Sequence, residues 1–200
     1  MGQRSPHAQA TEGIGVERDP ALESFRHATE LVPSDDARKE KDQGPSQIFV
    51  DLLAFLVQRG EVDEAIDVYH RAIGRARLSE SMKVYCSLWI ADLLERSKQQ
   101  PDPLAKAFLS SVQGGKWHAD LARWAVGSLP EAELLRRADT PGKLTEAEFY
   151  LGMAALRAAN RAGYEERLSK VKASNMLGFF EYEMATGYLR RGAAPTAPVQ

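Results

Sequence analysis

Residues 46–79, SQIFVDLLAFLVQRGEVDEAIDVYHRAIGRARLS, decide how this chain folds. Phe49, Leu52, Leu53 and Leu56 recur at i, i+3, i+4 and i+7, which lines one face of a helix. Gly60 ends that helix. Ala65, Tyr69 and Ala72 then recur at i, i+4 and i+7 on a second one. A small side chain at 65 lets two helices approach closely. The aromatic ring at 69 fills the gap one turn on, and the small residue at 72 permits a further close contact.

Outward from this pair, the same period covers most of the chain. Alternating runs of β-branched residues are absent, and Ala, Leu, Glu, Arg, Lys and Gln dominate. Breaks fall at Gly60, at Pro101 and Pro103, at Gly114-Gly115, from Gly127 to Pro130, and at Pro141-Gly142. They predict helices over 19–32, 46–58, 62–77, 80–98, 103–113, 116–127, 130–138, 145–159, 162–173 and 178–190. Short turns between such helices imply antiparallel neighbours. The expected class is therefore all-α.

The spacing from Phe49 through Gly60, Ala65, Tyr69 and Ala72 resembles the tetratricopeptide repeat (TPR), a helix–turn–helix unit. Arg77 stands where that repeat usually closes with proline. Upstream, Ala21, Phe25, Ala28 and Pro33 match the second-helix half of the same unit, led by Asp19-Pro20 as cap and first helical residue. This is an orphan helix, since residues 2–18 carry no apolar stripe. Leu151-Gly152 matches the repeat's Leu-Gly pair, with Leu168 and Val171 following and Tyr164 where a small residue is usual. Phe149 to Leu189 also resembles the last repeat and trailing helix of bacterial TPR lipoproteins. Those carry a lipidated cysteine near the N-terminus that has no counterpart here. The resemblance implies a TPR-like α-solenoid of antiparallel helix pairs, about ten helices in all, ended by a capping helix at 178–190. The alternative is an irregular all-α bundle.

At 200 residues the chain has about one domain's length, with 44% apolar and 27% charged residues. Five zones are expected: a disordered tail at 1–18, the orphan helix at 19–33, a charged linker at 34–46, the helical body at 47–191 and a flexible tail at 192–200. Residues 1–46 hold 6 basic and 9 acidic side chains, and residues 47–200 hold 20 and 19. That balance argues against nucleic acid as a partner. No apolar run approaches the ~20 residues of a membrane span, and no secretory pattern is visible, so a cytoplasmic protein is expected.

Catalytic and metal-binding patterns are thin. His118-Ala-Asp120 is a weak metal-like pair, and His70 next to Tyr69 is expected to face water. Cys86, the single cysteine, lies on a strongly apolar helix and reads as a buried, inert thiol. Gly114-Gly115-Lys116 lacks the spacing of a phosphate loop. The pairs Glu131/Glu133 and Glu146/Glu148 fall at expected helix N-termini, where acidic residues complement the macrodipole. The chain is thus expected to be no enzyme, with no catalytic residue, metal or cofactor.

The repeat register points to a concave apolar face. Gln47, Val50, Ala54 and Val57 on one helix would line it. Lys83, Cys86, Ile90 and Leu93 on another, and Phe149, Met153 and Leu156 on a third, would extend it. Residues that grip a C-terminal carboxylate in some TPR domains are replaced here by Val50 and Ala54. The helix at 80–98 is apolar nearly all round, which places it centrally or against a partner. Trp117, Leu121 and Trp124 add an aromatic stripe. The expected function is a non-enzymatic adaptor or scaffold that holds a partner peptide or amphipathic helix in that groove. The alternatives are a self-assembling module, with homo-oligomers formed through the same faces, and an enzyme of unknown class.

Overall fold

A computed structural model describes residues 20–31, 44–75 and 77–192. Ten α-helices and no strands occur among the described residues. They are α1 (Pro20–Glu30), α2 (Gly44–Arg59), α3 (Val62–Ile73), α4 (Glu80–Arg96), α5 (Pro103–Ser111), α6 (Trp117–Ala125), α7 (Glu131–Arg137), α8 (Pro141–Arg157), α9 (Arg161–Ala173) and α10 (Phe180–Arg191). None is long and apolar enough to cross a membrane. The tail expected at 1–18, residues 34–43 of the linker expected at 34–46, and the tail expected at 192–200 apart from Gly192 lie outside the described residues. Residues 44–46 belong to the start of α2 rather than to that linker.

Local chemistry sets the boundaries. Ser79, Asp102, Thr140 and Asn160 each cap a helix by accepting a backbone N–H from Met82, Ala105, Lys143 and Gly163. Gly60 closes α2 in the left-handed region at φ 78°, and the Glu61 N–H reaches back to the Leu56 carbonyl at 3.1 Å. Besides the earlier start of α2, two boundaries depart from expectation. The helix α3 ends at Ile73 rather than 77. Pro141-Gly142 is not a break but the first turn of α8. Proline at the first helical position needs no N–H partner, and Thr140 supplies the cap.

The α2–α3 pair buries Phe49, Leu52, Leu53 and Leu56 against Ala65, Tyr69 and Ala72. Tyr69 reaches onward to α4, where its hydroxyl shares a 2.9 Å hydrogen bond with Ser87 Oγ. α1 docks on α2 through Phe25 and Phe55, 6.0 Å apart, and on α3 through an Arg26–Glu64 ion pair. The helix α4 touches α2, α3, α5, α6 and α8, so its all-round apolar surface is core. α7 bridges α6 and α8, and α9 lies along α8.

The innermost helices form a closed ring. α2 touches α4, α4 touches α8, α8 touches α10, and α10 returns to touch α2. α10, the helix expected to cap the array at 178–190, packs on α8 and α9 and in addition touches α2.

Candidate functional site

The residues expected to line an open groove are mostly core. Val50, Ala54 and Val57 on α2 are buried, as are Cys86, Ile90 and Leu93 on α4 and Phe149 and Met153 on α8. Gln47, Lys83 and Leu156 are half-buried, and Gln47 donates from Nε2 to Asp51 on its own helix at 2.9 Å. An open trough along these residues is therefore not present in this conformation. The packing of α2, α4 and α8 on their neighbours covers these residues, and α10, with an apolar stripe of its own, contributes part of that cover.

Aromatic, hydrogen-bond and cation–π contacts seat α10. Phe180 meets Trp89 edge-on at 5.1 Å, and Tyr188 stacks on Phe149 at 6.4 Å. The Arg191 Nη2 donates to the Gln58 carbonyl of α2 at 3.0 Å. The Arg96 and Arg191 guanidinium groups each lie 5.7 Å from the Tyr188 ring centre. Met184, Ala185 and Tyr188 are buried as a result.

Beneath the first turn of α10 lies a polar cluster in an aromatic setting. Glu146 of α8 is buried, and its Oε2 accepts from the Tyr85 hydroxyl at 2.9 Å and the Trp117 indole N–H at 2.6 Å. Glu181 of α10 is also buried, and its Oε1 accepts from the Tyr150 hydroxyl at 2.7 Å. Tyr150 in turn accepts from the Trp89 indole N–H at 3.1 Å. α4, α6, α8 and α10 thus contribute to two neighbouring hydrogen-bonded groups, one on Glu146 and one on Glu181. Burial pushes the Glu146 carboxyl up to about 7, and the negative charge of Glu181 adds to the shift, while the Trp117 and Tyr85 donors oppose it. Burial raises Glu181 as well, against its bond from Tyr150. Tyr85 and Tyr150 are pushed up by burial and by the two carboxylates.

The other buried or half-buried acids named here have cationic or imidazole partners. Half-buried Asp92 holds Arg96 at 2.7 Å and Arg157 at 2.6 Å. Asp120 meets Arg123 and Arg137, and Glu148 meets Arg167 at 2.7 Å. Asp102, the cap of α5, meets His70 at 2.7 Å. Glu146 and Glu181 differ: among the described residues, neither forms an ion pair.

Some of these side chains follow their sequence reading and others depart from it. His70 is exposed, as expected, and also bridges α3 to the cap of α5. His118 is buried and shares a 2.8 Å hydrogen bond with Glu80. Glu146 and Glu148 are not first-turn residues, because α8 starts at Pro141. Glu181 carried no sequence signal, and Glu146 was misassigned through the misplaced helix start. Cys86 is buried, which pushes its thiol up to about 12. No group of three or more His, Cys, Asp or Glu side chains converges as a metal site among the described residues.

Comparisons with protein-family models, with curated proteins and with solved structures find no match to this chain.

Proposed function

We propose that this chain is a non-enzymatic protein-interaction module with a TPR-like arrangement of helix pairs. Its partner is an amphipathic helix that takes the place of α10 on α2, α4 and α8. One observation carries this reading: the inner faces of these helices already hold an amphipathic helix, the chain's own. Phe180, Met184 and Tyr188 recur at i, i+4 and i+8 along it. Burying a methionine such as Met184 contributes about 2 kcal/mol. A partner bearing a similar stripe would make the same contacts.

Such a partner competes with a tethered rival. The connection from α9 to α10 is short, so α10 acts at an effective concentration in the ~mM range. The apparent affinity for an outside helix falls in proportion to the fraction of chains with α10 lifted. The probe is a fluorescein-labelled peptide of residues 179–192, FFEYEMATGYLRRG. Its binding is measured to the full chain and to a full chain whose own α10 is weakened by Phe180→Ala and Tyr188→Ala. Saturable binding, tighter to the weakened chain, supports the reading. No saturable binding to either chain, or equal binding of a scrambled peptide, overturns it.

A second reading is self-assembly by exchange of α10 between copies. The α9–α10 connection favours it: Asn175 and Gly178 both have positive φ, and Leu177 is 77% exposed. Relaxing those two turns would extend the connection and let α10 reach a neighbour. Sedimentation across a wide concentration range decides it. A concentration-dependent dimer supports exchange, and a monomer throughout removes it.

A further inference from the structure

Glu146 and Glu181 are two buried carboxylates held by neutral donors, and Tyr150, which bonds Glu181, stands one turn along α8 from Glu146. The groups that face them come from each neighbouring helix. α4 brings Tyr85 and Trp89, α6 brings Trp117, and α8 brings Tyr150. Lys143, one turn before Glu146 on α8, is drawn to Asp139 at 2.5 Å and lies 5.8 Å from the Trp117 ring centre. α2 and α9 also pack on α10. Among the described residues they bring no charged side chain into hydrogen-bond or ion-pair contact with either carboxylate. Two full negative charges in this setting would repel with little screening. One proton on the pair removes that repulsion and leaves the acceptor oxygens that Tyr85, Trp117 and Tyr150 use.

The two acids sit on opposite sides of one interface. Glu146 belongs to α8 and Glu181 to the first turn of α10. Their repulsion therefore acts to part α10 from the body rather than to strain a single element. We propose that this pair is a proton-operated latch. With one proton held between Glu146 and Glu181, α10 stays seated, and loss of that proton loosens α10 and uncovers the apolar faces of α2, α4 and α8. Its role as a control on partner binding rests on the docking reading above, whereas the latch itself is a property of the chain alone.

The direction follows from linkage. Both carboxyls are raised by burial in the seated state and return to the ordinary carboxylate range once α10 lifts. Seating is therefore strongest below that ordinary range. It weakens by up to tenfold per pH unit for each proton linked, and for Glu146 the dependence levels off once the pH passes its seated-state value of about 7.

Hydrogen exchange on the full chain tests this, with protection factors of α10 amides compared with those of α3 amides between pH 5 and pH 8.5. The expected result is an α10 protection factor that falls about tenfold or more across this range while α3 changes less. Glu146→Gln keeps the acceptor oxygen and removes the charge, so it flattens the α10 profile. Glu181→Gln does the same from the other side and covers the case in which the first variant folds poorly. The latch is overturned if α10 protection does not fall in the wild-type chain. It is also overturned if the fall is as large in both glutamine variants, or if α3 loses protection in step. Because no peptide is present, these outcomes are independent of the peptide-binding result.

Discussion

Gly152 of α8 faces Leu168 of α9 so closely that a Cβ at position 152 would lie 2.5 Å from Leu168 Cδ1. The same Cβ would lie 3.2 Å from the Cβ of Arg167. Alanine is normally the better helix former by about 1 kcal/mol. Overpacking a filled interface costs about 1–3 kcal/mol, and Leu168 is fully buried. Gly152→Ala is therefore expected to destabilise the protein by about 1 kcal/mol net, read as a lower urea midpoint at unchanged slope. In the Leu168→Ala background the same change should cost less or turn favourable. Equal costs in both backgrounds would show that the close approach is not what matters at this position.

Asp92 binds two arginines from two helices, and the Arg96 side chain is 2% exposed. Arg157 keeps a second partner in Glu95 at 2.6 Å. Asp92→Ala strands charge in the core and is expected to cost about 3–5 kcal/mol. Replacing the pair together, with Asp92→Leu and Arg96→Met, should recover more than half of that loss. Chemical denaturation of the single and double variants provides the comparison.

Tyr69 separates packing from hydrogen bonding. Tyr69→Phe keeps the ring and gives up the bond to Ser87, whose hydroxyl still donates to the Lys83 carbonyl at 2.7 Å. The expected loss is about 1 kcal/mol. Tyr69→Ala empties a fully buried site and is expected to cost about 3–5 kcal/mol. A phenylalanine variant as unstable as the alanine variant would contradict this division.

Burial and a raised thiol should leave Cys86 silent toward thiol reagents in the native state. Disulfide-exchange labelling near pH 8 is expected to proceed only as fast as the chain opens, and to become rapid in denaturant. Prompt stoichiometric labelling without denaturant would place Cys86 at an accessible surface.

The helical content was legible because its signals are local. Phe49, Leu52, Leu53 and Leu56, and then Ala65, Tyr69 and Ala72, announce their buried faces through spacing alone, and every one of them is buried. The start of α8 was misread because Pro141-Gly142 is equally suited to a break and to a first turn. Only the cap from Thr140 to the Lys143 N–H distinguishes them. That misplacement made Glu146 look like a macrodipole residue.

The sequence by itself determined the helices, their breaks and which face of each is apolar, since periodicity is written within a few turns of chain. Tertiary structure alone decided what covers those faces. It seated α10 against α2, α4, α8 and α9, and it set Glu146 and Glu181 on facing helices on either side of α9 in the chain. The reason is that burial of apolar surface has no direction of its own. A greasy stripe specifies that it must be covered, and only the closed packing of the whole chain specifies by which helix.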